Sequence, residues 1–308
     1  MPKSGFTIYD AEMILVAAIW GGNFSVSKFA MREIPPLAFS GMRFALASGI
    51  LLLVARQAGA WERLPRRTFW ALAALGVIGN TFYQTAFMIG LSLTTATNSA
   101  MIVAILPVIV AVLGTVLGIE RATPLMWLGV ILGTAGVMLV VTAHGVRFDS
   151  SGLRGDLLVL LATLFWSFYT VGVLRAGRGV HPFQITAITA AAGTPGLLLL
   201  GLPGLLREDW SAVSAATWGG LAYAALLSLV FAYILYNRAV QGIGSGRTAI
   251  YNCLTPLVAM LVAWMTLGEV PLPIQFAGVA LVIGGVLVSV LSGSGGKGAN
   301  PSPLPSDP

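Results

Sequence analysis

The 308-residue chain is far more apolar than a soluble protein: 57% of its residues are hydrophobic, 9% are charged, and its mean hydropathy is +0.89. This composition excludes a soluble catalytic or binding domain and indicates a protein whose solvent is the lipid bilayer. The net charge of +6 comes from basic residues scattered over short segments. Because they form no stripe or aromatic-interleaved patch, nucleic acid is not an expected partner.

Ten apolar stretches along the chain are each long enough to cross a bilayer, which takes roughly 20 helical residues. They cover residues 11–31, 36–56, 69–90, 95–117, 124–143, 153–174, 182–201, 215–237, 246–267 and 272–292. The first stretch is too long for a signal peptide and carries Asp10 and Glu12 where a basic leader would lie, so we expect it to be retained. The predicted fold class is an all-α integral membrane protein with ten transmembrane helices.

A pattern of proline, glutamate and glycine in the first half recurs 149 residues later in the second half. Pro107, Glu120, Pro124, Gly129 and Gly136 return as Pro256, Glu269, Pro273, Gly278 and Gly285. Because a repeat of five helices is odd in number, the second copy enters the membrane in the opposite sense, which predicts two inverted repeats. The predicted boundaries are 1–146 and 147–292, followed by a disordered cytoplasmic tail at 293–308, rich in Gly, Ser and Pro. Inverted repeats are the structural basis of alternating access, so the pattern favours a transporter.

The distribution of Lys and Arg predicts the orientation, because cytoplasmic loops carry the excess of positive charge. With the N-terminus in the cytoplasm, eleven of these residues lie on that side, five lie on the other, and Arg43 lies within the second stretch. The eleven are Lys3, Arg56, Arg63, Arg66, Arg67, Arg121, Arg175, Arg178, Arg238, Arg247 and Lys297, and the five are Lys28, Arg32, Arg147, Arg154 and Arg207. Both termini are therefore expected to be cytoplasmic.

Four motifs in order along the chain give a family resemblance. They are Trp20-Gly21-Gly22-Asn23-Phe24 followed by Lys28, Pro36 followed by Arg43-Phe44, and the blocks from Pro107 to Glu120 and from Pro256 to Glu269. With these motifs the chain resembles the EamA-type branch of the drug/metabolite transporter superfamily, most closely its bacterial aromatic amino-acid exporters of the YddG kind. The resemblance implies ten helices, a central cavity, cytoplasmic termini and export of metabolites across the bacterial inner membrane.

Polar and aromatic residues at helical spacing mark the predicted substrate site, because polar groups within a bilayer tend to face the bundle interior. The predicted substrate-binding residues are Trp20, Asn23, Asn80, Tyr83, Gln84, Asn98, Met101, Trp166, Tyr169, Tyr251 and Asn252. The eighth stretch adds Tyr233, Tyr236 and Asn237. Rings with a few amides suit a ligand that has an aromatic or apolar body and a small polar head. For each residue alone, interhelical packing and hydrogen bonding is the alternative interpretation.

Two prolines and several charged residues receive separate predictions. Pro107 and Pro256 permit kinks and are predicted hinges. Arg43 and Lys28 are expected to snorkel toward the outer surface, the alternative being that one of them pairs with a substrate carboxylate or gates the outer mouth. Arg238 and Arg247 are expected to be interfacial anchors. The glutamates at 120 and 269 are expected to be helix-end features.

The residues that the chain lacks narrow the function further. No predicted span carries Asp or Glu near its middle, which argues against a membrane-centred proton relay and against export of lipophilic cations. There is no Walker-type phosphate loop, and the single cysteine and two histidines build no catalytic or metal site, so no cofactor and no enzymatic activity are expected. The predicted substrate is an amino acid or similar metabolite. The open alternatives are an exporter of other metabolites or drugs and, from another class, an intramembrane enzyme.

Overall fold

A computed structural model of the chain describes residues 6–57, 59, 61–93, 102–103, 105–120, 123–143, 153–267 and 271–291, and the elements within these ranges are helical. Within these ranges, six helical segments are long and apolar enough to cross a membrane, and two shorter ones are also apolar. The long segments are Pro36–Gln57, Arg66–Leu91, Leu153–Ala176, Pro182–Arg207, Ala215–Ile243 and Pro273–Leu291, and the shorter ones are Leu106–Val116 and Pro124–Val140. The architecture is that of a helical membrane protein.

The helices follow one another through short connections. In the first half they are α1 (Ile8–Ala30), α2 (Pro36–Gln57), α3 (Arg66–Gly76), α4 (Tyr83–Leu93), α5 (Leu106–Val116) and α6 (Pro124–Thr142). In the second half they are α7 (Leu153–Ala176), α8 (Pro182–Arg207), α9 (Ala215–Tyr223), α10 (Ala232–Ile243), α11 (Ser245–Tyr251), α12 (Leu254–Leu267) and α13 (Pro273–Leu291).

Many large apolar side chains face outward, while many polar side chains are buried between the helices, which is unlike a soluble bundle. In α7, Leu157, Leu161 and Phe168 are exposed, whereas Trp166 and Ser167 are buried among the neighbouring helices. Such a surface is stable only when hydrocarbon covers it, because contiguous exposed apolar area of this extent is rare on soluble proteins.

The two halves of the chain pack on each other through equivalent elements. Helix α2 lies on α8, α6 lies on α13, α1 packs on α9 to α12, and α7 packs on α3 to α5. At the α6–α13 contact a Cβ on Gly129 would lie 2.9 Å from the Gly285 carbonyl oxygen, and one on Gly136 would lie 2.6 Å from that of Gly278. Gly129 therefore packs on Gly285 and Gly136 packs on Gly278, so the absence of side chains lets α6 and α13 approach closely.

In the part of the chain that the structure describes, two helices contain a π-helical segment that the sequence pattern did not predict. Val77–Phe82 joins α3 to α4, and Ala224–Phe231 joins α9 to α10. Shifting the first segment by the repeat offset of 149 residues places it within the second. Such widened turns are frequent at functional sites, because they leave backbone groups less regularly bonded and re-aim the side chains.

The predicted single span 246–267 is wrong in one respect, because it is broken at Asn252 and Cys253 into α11 and α12. Pro256 lies in the first turn of α12, and Pro107 lies in the first turn of α5. A proline in the first turn displaces no helical hydrogen bond, so both prolines start helices instead of kinking their middles.

Candidate substrate site

An aromatic cluster lies where α1, α4, α7 and α10 meet. The rings of Trp20 and Trp166, which the sequence pairs as repeat equivalents, are 5.8 Å apart with an edge-to-face angle of 75°. Trp20 contacts Tyr233 at 5.8 Å and Tyr236 at 5.3 Å, and Trp166 contacts the same two rings at 5.6 and 5.4 Å. These separations fall within the favourable range for aromatic pairs.

Two further predicted residues complete this aromatic cluster. Tyr169 stacks on Trp166 with ring centroids 5.0 Å apart, and Tyr83 lies 5.0 Å from Trp166 on another side. In the part of the chain that the structure describes, these rings touch one another instead of lining an open chamber. A ligand would therefore enter the cluster only when the rings separate.

Polar partners fix several of the rings in place. The Trp20 indole Nε1 donates to the Ser228 carbonyl oxygen at 3.1 Å, within the second π-helical segment. The Tyr169 hydroxyl donates to Asn237 Oδ1 at 3.1 Å, and the Asn80 amide donates to the Thr189 carbonyl oxygen at 2.8 Å. The Tyr169 hydroxyl and the Asn80 amide nitrogen thus have protein partners, whereas the Asn80 Oδ1 is buried without a hydrogen-bond partner among the described residues.

Arg43 of α2 lies beside this aromatic cluster, and the expectation that it snorkels outward is wrong. Its relative exposure is 2%. The guanidinium Nη2 donates to Gln84 Oε1 at 2.9 Å, while the Nε has no hydrogen-bond partner among the described residues. The guanidinium carbon lies 5.4 and 5.8 Å from the ring centroids of Phe39 and Phe44. The reason for the failed prediction is geometric: Arg43 is on the face of α2 that packs against the bundle, so its side chain has no path to the surface.

Arg247 is also buried, and the expectation that it anchors the interface is wrong. Its Nε and Nη2 donate to Asp10 Oδ1 and Oδ2 at 2.9 and 2.8 Å. The Tyr251 hydroxyl donates to the same carboxylate at 2.7 Å, and so does the Thr7 backbone N–H at 2.7 Å. This places Tyr251, a predicted substrate residue, in an ion-pair network at the N-terminal end of α1.

Two more carboxylates join the halves at this end. Glu120 accepts from the backbone N–H groups of Ser245 and Gly246, both at 3.1 Å, and from the Ser245 hydroxyl, so it caps the start of α11. Burial raises the pKa of the Glu120 carboxyl above its ordinary value, against the opposing effect of these hydrogen bonds. Glu12 pairs with Arg238 at 3.0 Å. The N-terminal end of α1 is therefore held closed by charge and hydrogen bonding.

The other end of α1 is held by the carboxylate of Glu33. Glu33 accepts from the Ser214 backbone N–H at 2.8 Å and from its hydroxyl at 3.0 Å, and these bonds lower the pKa of Glu33. Nearer the middle of α1, the Tyr223 hydroxyl donates to the Ile19 carbonyl oxygen at 3.0 Å.

Of the other predicted site residues, Asn252 lines a small cavity of about 20 Å³ together with both predicted hinges, Pro107 and Pro256. Its amide atoms and the Asn23 Oδ1 are buried without a hydrogen-bond partner among the described residues. Asn98 and Met101 lie outside the described residues, as do Glu269 and the predicted tail at 293–308.

Long apolar helices, an outward-facing apolar surface and a buried aromatic and polar centre define a multi-pass membrane protein. The model of the EamA-like transporter family, within the drug/metabolite transporter superfamily, matches residues 8–142 and again residues 153–291. The chain belongs to this family.

Known relatives carry the same general description. An uncharacterized transporter of Archaeoglobus fulgidus is 30% identical over 285 residues, which cover 90% of this chain and 95% of that protein. The uncharacterized transporter YyaM of Bacillus subtilis is 26% identical over 274 residues, covering 87% and 89% of the two chains. One solved crystal structure superposes with a TM-score of 0.78 at 18% identity, covering 92% of this chain, which supports the fold.

Proposed function

We propose that the protein exports amino acids with aromatic or hydrophobic side chains across the bacterial inner membrane by alternating access, with both termini in the cytoplasm. The aromatic cluster around Trp20 and Trp166 is the observation that carries this proposal. Indole and phenol rings offer a ligand stacking surfaces, and separating the packed rings would let an aromatic side chain take their place at little loss of contact.

The mechanism rests on ten helices in two inverted repeats, 1–146 and 147–292. The family match to each half and the reciprocal glycine contacts of α6 and α13 support this division. Helix α1 packs on the second half and α7 packs on the first, so relative rocking of the halves would move Trp20 against Trp166. The breaks before Pro107 and Pro256 are our proposed hinges.

The contacts at the two ends of α1 are the proposed gates. Asp10 with Arg247, and Glu120 with Ser245, would close the cytoplasmic side, while Glu33 with Ser214 would close the outer side. When the contacts of one gate break and those of the other form, the aromatic cluster is exposed to one side of the membrane at a time, as a carrier requires.

The test is flux in proteoliposomes with labelled phenylalanine, tryptophan and leucine, with a lipophilic cation as comparison. Trp166→Ala is expected to lower saturable aromatic flux about tenfold or more, because it removes the ring that contacts five others. Trp70→Phe is the matched control, since Trp70 is 67% exposed at the start of α3. Cation flux alone, or aromatic flux that survives Trp166→Ala, would contradict the proposal and favour a carrier for other metabolites or drugs.

A further inference from the structure

Among the described residues, two arginines are buried in opposite situations. Arg247 is 4% exposed and Arg43 is 2% exposed. The carboxylate of Asp10 neutralises Arg247 with bidentate geometry, and the Tyr251 hydroxyl supports that carboxylate. For Arg43, by contrast, the described residues supply one neutral amide oxygen, from Gln84, and no carboxylate.

A buried cation without a counter-ion is costly. Desolvating a guanidinium loses several kcal/mol of hydration, which a neutral amide and two aromatic ring contacts offset only in part. Charged residues within a membrane protein that persist in such a place mark ligand sites, with the missing charge supplied from outside.

The guanidinium has the geometry to receive that charge. Nη2 has two hydrogens and donates to Gln84, while Nε has no partner among the described residues, so the Nε–H group can still donate to an added anion. A carboxylate binds this edge with two parallel N–H···O bonds, as the Asp10 carboxylate does on Arg247.

The position of Arg43 connects this charge to the aromatic cluster. It lies seven residues, about 10 Å of helix, from the start of α2. Phe44, the next residue, contacts the Tyr233 ring at 6.4 Å, and Tyr233 contacts both Trp20 and Trp166. A ligand whose carboxylate reached Arg43 could therefore place a side chain among these rings.

We propose that Arg43 is an anion-binding residue that takes the carboxylate of the transported molecule, with Gln84 orienting the guanidinium. This inference rests on the proposed transport function and deepens it, because it makes a carboxylate the required feature of the substrate. The protein then prefers molecules that carry a carboxylate beside an aromatic or apolar body, and it binds their amides and the corresponding amines more weakly.

The test compares ligands that differ in one charge, using the purified full-length protein. Binding of phenylalanine, phenylalaninamide, 3-phenylpropionate and phenethylamine is measured for wild type, Arg43→Gln and Arg43→Lys. Wild type is expected to bind the two carboxylates. Arg43→Gln should lower the affinity for these two carboxylates by about 30-fold or more, equivalent to about 2 kcal/mol. It should leave the affinity for the two other ligands at the wild-type value. Arg43→Lys keeps the charge but loses the planar fork of N–H donors, so its affinity for carboxylates should lie between those of wild type and Arg43→Gln.

The control is Arg56→Gln, because Arg56 is an exposed residue near the end of the same helix and the change removes the same charge. Its affinities should match wild type, and unfolding temperatures of all variants identify any that are misfolded. Equal affinity of Arg43→Gln and wild type for carboxylates, or equal loss for all four ligands, overturns the assignment, as does a wild type that binds no carboxylate. If a wider panel shows that other carboxylates bind through Arg43 while amino acids are not transported, the amino-acid proposal fails and the anion site stands.

Discussion

Replacing Asp10 with Asn should open the end of the protein where α1 begins. The Asp10 carboxylate is fully buried and accepts from Arg247, Tyr251 and Thr7 at 2.6 to 2.9 Å. The substitution keeps the shape but leaves the Arg247 guanidinium without its counter-ion and points an amide N–H₂ at donors. Breaking a buried pair in this way costs about 3–5 kcal/mol. A change of about 3 kcal/mol moves a two-state equilibrium by a factor of about 150.

The single cysteine provides the assay. Cys253 is 3% exposed and lies in the break between α11 and α12, two residues beyond Tyr251. Asp10→Asn should therefore raise the rate at which a membrane-permeant maleimide labels Cys253 and should lower the unfolding temperature. Asp209→Asn is the control, because Asp209 bonds locally to Ser211 in an exposed connection. Unchanged labelling and stability in Asp10→Asn, or an equal change in Asp209→Asn, would refute the view that this ion pair closes the protein.

Two further predictions concern the contact between the halves and the pH response. Gly136→Ala should destabilise the protein by about 1–3 kcal/mol, because the new Cβ would lie 2.6 Å from the Gly278 carbonyl oxygen, whereas Gly284→Ala meets open space and should leave the unfolding temperature unchanged. Burial raises the pKa of Glu120 in this closed arrangement. Protons therefore bind the closed state more tightly than an open state with a solvated carboxyl, so acidification between the ordinary and the raised pKa should favour closure. The rate of Cys253 labelling in the wild type, divided by the rate in Glu120→Gln at the same pH, should fall as the pH is lowered. A rise in this ratio would contradict the sign.

From hydropathy and length, the sequence correctly predicted six of its ten spans, which are long apolar helices among the described residues. It also paired Trp20 with Trp166, and the structure places those rings in contact. The sequence-based predictions for Arg43 and Arg247 were wrong, because hydropathy indicates the depth of a residue in the membrane but not which neighbour its side chain contacts. The partner of Arg247 is Asp10, 237 residues away in the chain. No local pattern identifies so distant a pair.

Irregular backbone geometry was the other feature that could not be predicted from the sequence. The π-helical segments at Val77–Phe82 and Ala224–Phe231 have no composition that separates them from ordinary apolar helix. Their role is visible only in the tertiary contacts, where Asn80 in the first segment and Ser228 in the second form hydrogen bonds with neighbouring helices. Pro107 and Pro256 predicted an interruption of the helices correctly, but not that each proline would lie in the first turn of a new helix.

Trans-stimulation in proteoliposomes tests the central claim, that the protein is a carrier alternating between two closures around an aromatic site. Labelled phenylalanine uptake is followed into vesicles preloaded with unlabelled phenylalanine and into empty ones. A carrier of this kind should show saturable uptake that the internal substrate accelerates, and Trp166→Ala should abolish the acceleration. Uptake that does not saturate and does not respond to internal substrate would contradict alternating access.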